Sequence, residues 1–93
     1  MAVSPIALFQ KDPDATLDYA IDWTSWLKGD AIQSSAWTVP AGLGSSGAVV
    51  GGSMVGIFLS GGVDGTTYDV VNQVTTQGGR IDKRTIRIQV VKR

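Results

Sequence analysis

Apolar and polar residues alternate with a period of two along several short stretches of this chain, which is the pattern of half-buried β-strands. One stretch covers residues 16–23, and its apolar positions are Leu17, Tyr19, Ile21 and Trp23. A longer stretch covers Thr66–Thr76, with an inward face of Tyr68, Val70, Asn72 and Val74. The last covers Asp82–Lys92, with Ile86, Ile88 and Val90 inward. The turn signal at residues 77–80 predicts that the last two strands form a hairpin.

Two further strands are predicted between these, over Ala31–Val39 and Met54–Ser60, with a bulge at Ser34-Ser35. Residues 42–52 are rich in Gly and Ser, which predicts a surface loop containing at most a short strand at residues 48–50. Thr24–Asp30 predicts one short turn that caps the core. Six or seven short strands without a helical period are typical of an all-β, small antiparallel β-sandwich, and a five-stranded barrel is the alternative.

The chain begins with a segment that lacks this alternation. Pro5 and Pro13 oppose a helix, so residues 1–13 are predicted to form an extended N-terminal arm and residues 14–93 the sandwich domain. An extended arm can add a strand to the sheet of a neighbouring protein. We therefore expect that deleting residues 1–12 leaves the fold intact and weakens incorporation into an assembly.

The amino-acid composition excludes most of the common catalytic mechanisms. The 93 residues include no Cys and no His, which excludes disulfides, thiol nucleophiles, Ser-His-Asp relays and the usual ligands of structural zinc. We expect no enzyme, no catalytic residue, no cofactor and no metal. There is no run of about 20 apolar residues that could span a membrane, and no secretory signal is recognisable. We expect synthesis in a cytoplasm and no membrane partner.

The formal net charge is zero, but the charges are segregated along the chain. Residues 1–30 carry a net charge of −3, residues 31–79 carry −2, and residues 80–93 carry +5. Either the two ends lie close together in the fold and neutralise each other, or the subunit is dipolar and docks head to tail. The basic segment is a strand without interleaved aromatic residues, so nucleic acid is not the expected partner.

Three short motifs match sequence patterns of known functional sites but lack the surrounding elements that those sites need. Gly42–Gly47 matches the dinucleotide motif G-x-G-x-x-G, which needs a helix after it, and the residues that follow do not favour one. Ser25–Lys28 matches S-x-x-K, which acts on a helix in a much larger domain. Asp12 and Asp14 supply too few oxygens for calcium, which takes about six to eight. We interpret these motifs as loops and polar turns, and we expect no small-molecule substrate.

The middle of the chain holds candidate contact residues. No charged residue occurs from Ala31 to Val63, and residues 48–63 combine small, apolar and Gly residues. Apolar segments without charge are typical of surfaces buried between subunits. We select Val50 and Val55 as candidate interface residues, and we expect a charge at either position to disrupt assembly more than folding of the monomer.

Three tryptophans are prominent in a chain of this size. Trp23 and Trp37 lie at predicted strand positions and are assigned to the core. Trp26 lies in a predicted turn, which makes it a candidate interface anchor. Together with an exposed Tyr19, Trp26 could instead form the platform of a carbohydrate-binding module.

Several short motifs follow one another in a specific order over roughly residues 11–93. They are Lys11-Asp12-Pro13-Asp14, Leu17-Asp18-Tyr19, Asp22-Trp23, Ala36–Leu43, Leu59–Gly62, Gly65–Tyr68, Asn72, Val74, Gly78–Arg80 and Asp82. In these motifs the chain resembles a family of small proteins encoded among the tail and virion genes of bacteriophages and prophages, the fibre–tail adaptor proteins. The resemblance implies an immunoglobulin-like sandwich, no catalysis and a place in the phage particle.

We therefore expect a bacteriophage virion structural protein that joins tail fibres to the tail or baseplate by protein–protein contact. Its partners would be other phage virion proteins of the tail, fibre or capsid, and it would act in multiple copies in a symmetric assembly. A capsid decoration, or cement, protein on the head lattice is one alternative. The carbohydrate-binding module is an alternative of a different class.

Overall fold

The computed structural model describes residues 7–92, which form two β-sheets packed around one core. The elements are β1 (Ala7–Lys11), β2 (Leu17–Asp22), α1 (Thr24–Leu27), β3 (Ile32–Thr38), β4 (Leu43–Gly51), β5 (Met54–Gly61), β6 (Thr67–Thr76) and β7 (Ile81–Val90). The larger sheet has the strand order β1-β7-β6-β3, and the smaller has β2-β5-β4. The predicted all-β sandwich of about seven strands is confirmed. The barrel alternative is wrong, because the described strands form two separate sheets.

Neighbouring strands run antiparallel in every described pair but one. β1 runs parallel to β7, with Ala7 beside Ile86 and Lys11 beside Val90. Parallel neighbours require a long connection, and here nearly the whole described chain lies between the two strands. Residues 7–11 of the predicted arm are extended, but they belong to the sheet of their own molecule, which corrects their assignment to a separate arm. Residues 1–6 of the arm lie outside the described residues.

Residues 42–52 differ from the sequence prediction, because most of them form strand β4 and not a loop. β4 pairs with β5 along almost its whole length, and pairing with a neighbour outweighs the weak strand preference of Gly and Ser. Its register shifts between Ser46 and Val49, where Gly47 has a φ of 62°, a conformation that favours glycine. β3 contains a register shift, but it lies between Ile32 and Ser34 and not at the predicted Ser34-Ser35.

The core between the sheets consists of the inward positions that the alternation predicted. Its buried apolar residues are Tyr19, Ile21, Trp23, Leu27, Val55, Ile57, Leu59, Tyr68, Val70, Val74, Ile86, Ile88 and Val90. Trp37 is half-buried and packs against this cluster, so both core assignments for tryptophan are confirmed. No helix within residues 7–92 is long and apolar enough to cross a membrane.

A buried amide connects the two sheets inside this core. Asn72 of β6 is fully buried, and its Oδ1 accepts a hydrogen bond of 3.2 Å from the indole Nε1 of Trp23. Its Nδ2 donates to the hydroxyl of Ser35 at 2.7 Å. Because a buried polar group is costly unless it is paired, these bonds hold the Trp23 ring in one position against the larger sheet.

A buried lysine connects the sheets at the opposite end of the sandwich. Lys11, the last residue of β1, is fully buried, and its Nζ donates to the carbonyl oxygens of Gly61 and Asp12 at 2.6 and 2.8 Å. Burial lowers the pKa of Lys11, and the nearby Asp12 and Asp14 act in the opposite direction. The Lys11 side chain thus links β1 of the larger sheet to the end of β5 in the smaller one.

Candidate functional site

The sequence candidate Trp26 lies on α1, a single helical turn between β2 and β3. Trp23 is the N-terminal cap residue of this turn, and Oδ1 of the preceding Asp22 accepts a hydrogen bond of 2.9 Å from the backbone N–H of Thr24. Leu27 is buried and anchors the turn in the core, and Lys28 ends it in a left-handed conformation with a φ of 51°. A helix of this length is not stable alone, so tertiary contacts must hold Trp26 in place.

Arg80, in the turn between β6 and β7, supplies those contacts. Its guanidinium carbon lies 4.3 Å from the centre of the Trp26 ring, which is the geometry of a cation–π contact. Its Nη1 and Nη2 donate to the carbonyl oxygens of Trp26 and Leu27 at 3.2 and 2.6 Å, and its Nε lies 3.3 Å from Oδ2 of Asp30. The acidic start and the basic end of the chain meet here, so mutual neutralisation is confirmed for this pair.

Of the two rings proposed for carbohydrate binding, Trp26 is half-buried and Tyr19 is buried. Arg80 lies over one face of Trp26, and Trp23 packs edge-on against it with ring centres 5.1 Å apart. Tyr19 is only 7% exposed and packs against Phe9 at a ring-centre distance of 5.0 Å. The expectation of an exposed Tyr19 is wrong, because the alternation along β2 turns its ring into the core. The role of Trp26 as an interface anchor stays a prediction.

Asp30 joins the same cluster through its carboxylate. A hydrogen bond from the hydroxyl of Thr76, backbone N–H bonds from Ala31 and Gly78, and the Arg80 side chain hold the pKa of Asp30 below its usual value, against partial desolvation. A carboxylate with a lowered folded-state pKa stabilises the fold above its unfolded pKa of about 4. That contribution is lost as the pH falls through the folded-state pKa.

We expect Asp30→Asn to lower the Tm at pH 6 by a few degrees, and to have less effect as the pH falls below about 4. Thermal melts of both proteins between pH 6 and pH 2 measure this difference. Asp18→Asn is the matched control, because Asp18 lies on the exposed side of β2 and makes none of these bonds. A Tm difference that stays constant across this range would contradict a role for the Asp30 carboxylate charge.

A second candidate surface lies on the outward side of the smaller sheet. Met54 and Phe58 of β5 are each 44% exposed, because the residues alternating with them point into the core. Val49 of β4 is 62% exposed, and it lies on the same side because it pairs with Gly56. We call Val49, Met54 and Phe58 the β4–β5 face.

Glycines shape the β4–β5 face. A Cβ at Gly47 would lie 3.0 Å from the Phe58 ring, and a Cβ at Gly56 would lie 3.4 Å from Cγ2 of Val49. The two large side chains therefore lie over glycine positions and flatten the surface. Neither β4 nor β5 carries a charged residue. The charge-free middle of the sequence thus becomes a flat, exposed apolar surface, which is the character of contact sites between proteins.

The two valines selected from the sequence differ in exposure. Val50 is 49% exposed, because β4 is an edge strand. Val55 pairs with Val50 but is only 1% exposed, since its central strand places it inside the core. The prediction of Val55 as an interface residue is therefore wrong, whereas the interface role of Val50 stays a prediction. The exposed apolar residues of the β4–β5 face were not selected from the sequence.

The basic last strand is engaged within the molecule. Arg87 of β7 donates to both carboxylate oxygens of Asp69 on β6, at 2.8 and 3.2 Å. These bonds lower the pKa of Asp69 and raise that of Arg87. Arg84 lies over the Trp23 ring, with its guanidinium carbon 4.2 Å from the ring centre. Arg80, Arg84 and Arg87 thus each make contacts within the molecule, and Arg80 and Arg87 form ion pairs.

The three short motifs lie in structural contexts that differ from those in which such motifs are functional. All residues of Gly42–Gly47 except the first lie within strand β4, whereas a dinucleotide site needs a helix after this motif. Ser25–Lys28 lies on the single turn of α1. Oδ1 of Asp12 accepts from the backbone N–H of Asp14 at 2.8 Å, so the polar turn predicted there is confirmed. Within residues 7–92, no group of three acidic side chains is placed to hold a metal ion.

Residues 11–89 match the family model described as podophage GP4 fiber-tail adaptor protein gp77. The match runs from the last residue of β1 to the penultimate residue of β7, so it covers both sheets, α1 and the β4–β5 face. No curated protein sequence matches the chain.

Proposed function

Since the chain belongs to the family of podophage fiber-tail adaptor proteins, we propose that it joins tail fibres to the tail or baseplate by protein–protein contact. Membership of this family makes it a structural component of the phage particle that contacts other tail proteins. We propose synthesis in the host cytoplasm and a role without catalysis, cofactor, nucleic acid or membrane. The family favours this role over capsid decoration or carbohydrate binding.

We propose that the fold is immunoglobulin-like, and the strand order supports this. If the strands are lettered A to G along the chain, the smaller sheet has the order B-E-D and the larger one contains G-F-C. Those are the sheet partners of the immunoglobulin fold. Strand A here pairs with G in place of B. In this comparison Trp26 and Arg80 lie in the B–C and F–G loops, at one end of the sandwich.

The β4–β5 face is the observation that carries the proposed contact. Asp18 and Asp22 of β2 pair with Phe58 and Met54, so two carboxylates border the apolar surface on one side. An apolar centre with a charged border is the usual anatomy of a protein interface. Because this border is acidic, the partner surface should be apolar with a basic rim.

The size of this face favours action in several copies. Even the whole outward side of the smaller sheet, with β2 included, covers only roughly 400 Å² at a strand spacing of about 4.8 Å, against roughly 800 Å² per partner in a standard stable interface. One such contact is weak, but repeated contacts in a symmetric assembly act together and raise the overall affinity. We therefore propose multiple copies in the virion.

We expect Val49→Asp to reduce incorporation into phage particles at least about tenfold while shifting the Tm of the free protein by less than about 3 °C. The Val49 side chain is 62% exposed, so a charge there costs little in the monomer. At a protein contact the same charge would lose its water without a partner. The amount of variant in purified particles, produced by complementing a phage that lacks the gene, measures the effect.

Val63→Asp is the matched control. Val63 is 61% exposed in the loop between β5 and β6, so the same residue type is exchanged at the same exposure away from the β4–β5 face. We expect normal incorporation of this control. Equal incorporation of the Val49 and Val63 variants would argue against the β4–β5 face as a contact surface.

A further inference from the structure

The edge strands β1 and β2 border an open groove on one flank of the sandwich. Among the described strands, β1 pairs only with β7 and β2 only with β5, so backbone hydrogen bonds do not close this flank. The groove has a volume of about 290 Å³. Ile21 and Ile86 line it from the two sheets, and both are almost fully buried, so they form its floor.

Small residues keep this groove open. Ala7 and Ala20 line it from the two edge strands, and a larger side chain at Ala7, which lies on the same side of β1 as Phe9, would occupy space in the groove. Phe9 forms one wall and is 38% exposed. Ligand pockets usually measure about 300–1,000 Å³, so this groove is at the lower limit. It suits one large apolar side chain better than a whole cofactor.

Arg84 brings a positive charge to the apolar groove. Its Nη1 donates to the backbone carbonyl of Asp22 at 2.8 Å, and the guanidinium lies over Trp23. A guanidinium has five N–H donors, and this contact uses one of them. Hydrogen bonds from Thr24 and, to a smaller extent, the charge of Arg84 lower the pKa of Asp22. The two ion pairs within residues 7–92 are nevertheless made by Arg80 and Arg87, so the remaining N–H groups of Arg84 can bind a carboxylate.

We propose that this groove binds an extended segment of a neighbouring tail protein that presents an aromatic or large aliphatic side chain beside a carboxylate. The apolar side chain would lie between Phe9 and the groove floor of Ile21 and Ile86. The carboxylate would accept hydrogen bonds from the remaining N–H groups of Arg84 and so form a charge-assisted pair. The free edges of β1 and β2 offer backbone groups to such a segment.

This inference rests on the proposed function only for the identity of the neighbour. An adaptor needs two contact surfaces, and the groove on the β1–β2 flank is separate from the β4–β5 face. The groove has its own chemistry, so it can be tested on the isolated full-length chain. A failure there would leave the incorporation experiment on Val49 unaffected.

The probe is 3-phenylpropanoate, which joins an aromatic ring to a carboxylate, and its neutral analogue is 3-phenylpropanamide. Titrations of the isotope-labelled chain are followed by backbone amide NMR shifts. For a ligand of this size we expect a dissociation constant of about 1–5 mM, with saturable shifts at Ala7, Ala20 and Thr85, which also lines the groove. We expect the amide to bind at least about fivefold more weakly.

Variants separate the two parts of the site. Arg84→Gln should abolish the preference for the carboxylate, Arg84→Lys should retain part of it, and Ala7→Leu should weaken both ligands. Lys83→Gln is the matched control, because it removes a neighbouring positive charge whose side chain alternates to the other side of β7. We expect it to bind like the unaltered chain.

Amide-signal dispersion and the Tm of each variant establish that it is folded. Three results would overturn the proposal: no saturable shift up to about 20 mM probe, equal affinity for acid and amide, or equal weakening by Lys83→Gln and Arg84→Gln. If Arg84→Gln fails to fold, the acid-to-amide ratio of the unaltered chain and of Arg84→Lys decides the outcome.

Discussion

Val55→Asp should prevent the chain from folding at 25 °C, whereas Val50→Asp should leave it folded. Val55 is 1% exposed and lies between Ile21 and Val50 on the central strand of the smaller sheet. Replacing it removes roughly 2 kcal/mol of apolar burial and forces a carboxylate into the core, at a cost of several kcal/mol more. The total is comparable to the whole stability of a small domain, about 5–10 kcal/mol.

Far-UV circular dichroism and amide NMR dispersion measure the outcome. Val50→Asp is the control, because it places the same charge on the paired strand at a position that is 49% exposed. Val55→Ala provides an intermediate case, with an expected loss of about 2–3 kcal/mol that is measurable in urea. A Val55→Asp protein with a cooperative melt near that of the unaltered chain would contradict the position of β5 in the core.

Deleting residues 1–12 should destabilise the fold by about 3–5 kcal/mol, contrary to the expectation that the fold survives intact. The deletion removes strand β1 and with it Lys11, whose Nζ donates to the Gly61 carbonyl at 2.6 Å. It also exposes the inward residues of β7 that pair with β1 to water. For a domain of this size the loss corresponds to a fall in Tm of roughly 12–40 °C.

Thermal melts of the shortened and full chains measure this loss. A synthetic peptide of residues 1–14 should restore part of the Tm when added in excess, because binding to the folded state shifts the equilibrium towards it. A peptide of the same composition in scrambled order should not. If the shortened chain melts within about 3 °C of the full one, β1 does not contribute to the stability of the sandwich.

The parts of the fold that could be predicted from the sequence are those with a local signal. Trp23, Val70 and Ile88 follow the strict alternation of their strands, and all three are fully buried. The hairpin of β6 and β7 has a turn signal between two long alternating stretches, and it forms as expected. A period of two is a property of neighbouring residues, so it can be seen without knowledge of the rest of the chain.

The remaining features depend on partners far away in the sequence. β4 is a strand because β5 lies beside it, and its own Gly and Ser residues do not signal this. The burial of Lys11 depends on the Gly61 carbonyl, 50 residues later, which accepts a hydrogen bond from its Nζ. The groove depends on the parallel placement of β1 beside β7 and on Arg84, which bonds to Asp22, 62 residues earlier. No local pattern encodes these contacts.

The parallel pairing of β1 and β7 has a mechanical consequence for a protein that connects two parts of a particle. A force applied between Ala7 and Val90 pulls the two strands in opposite directions along their length. The hydrogen bonds between the strands lie across that direction, so the five register pairs carry the load together and cannot open one after another. Under such a force the bonds between β1 and β7 are loaded in shear. The hydrogen bond from Lys11 to the Gly61 carbonyl additionally holds the C-terminal end of β1.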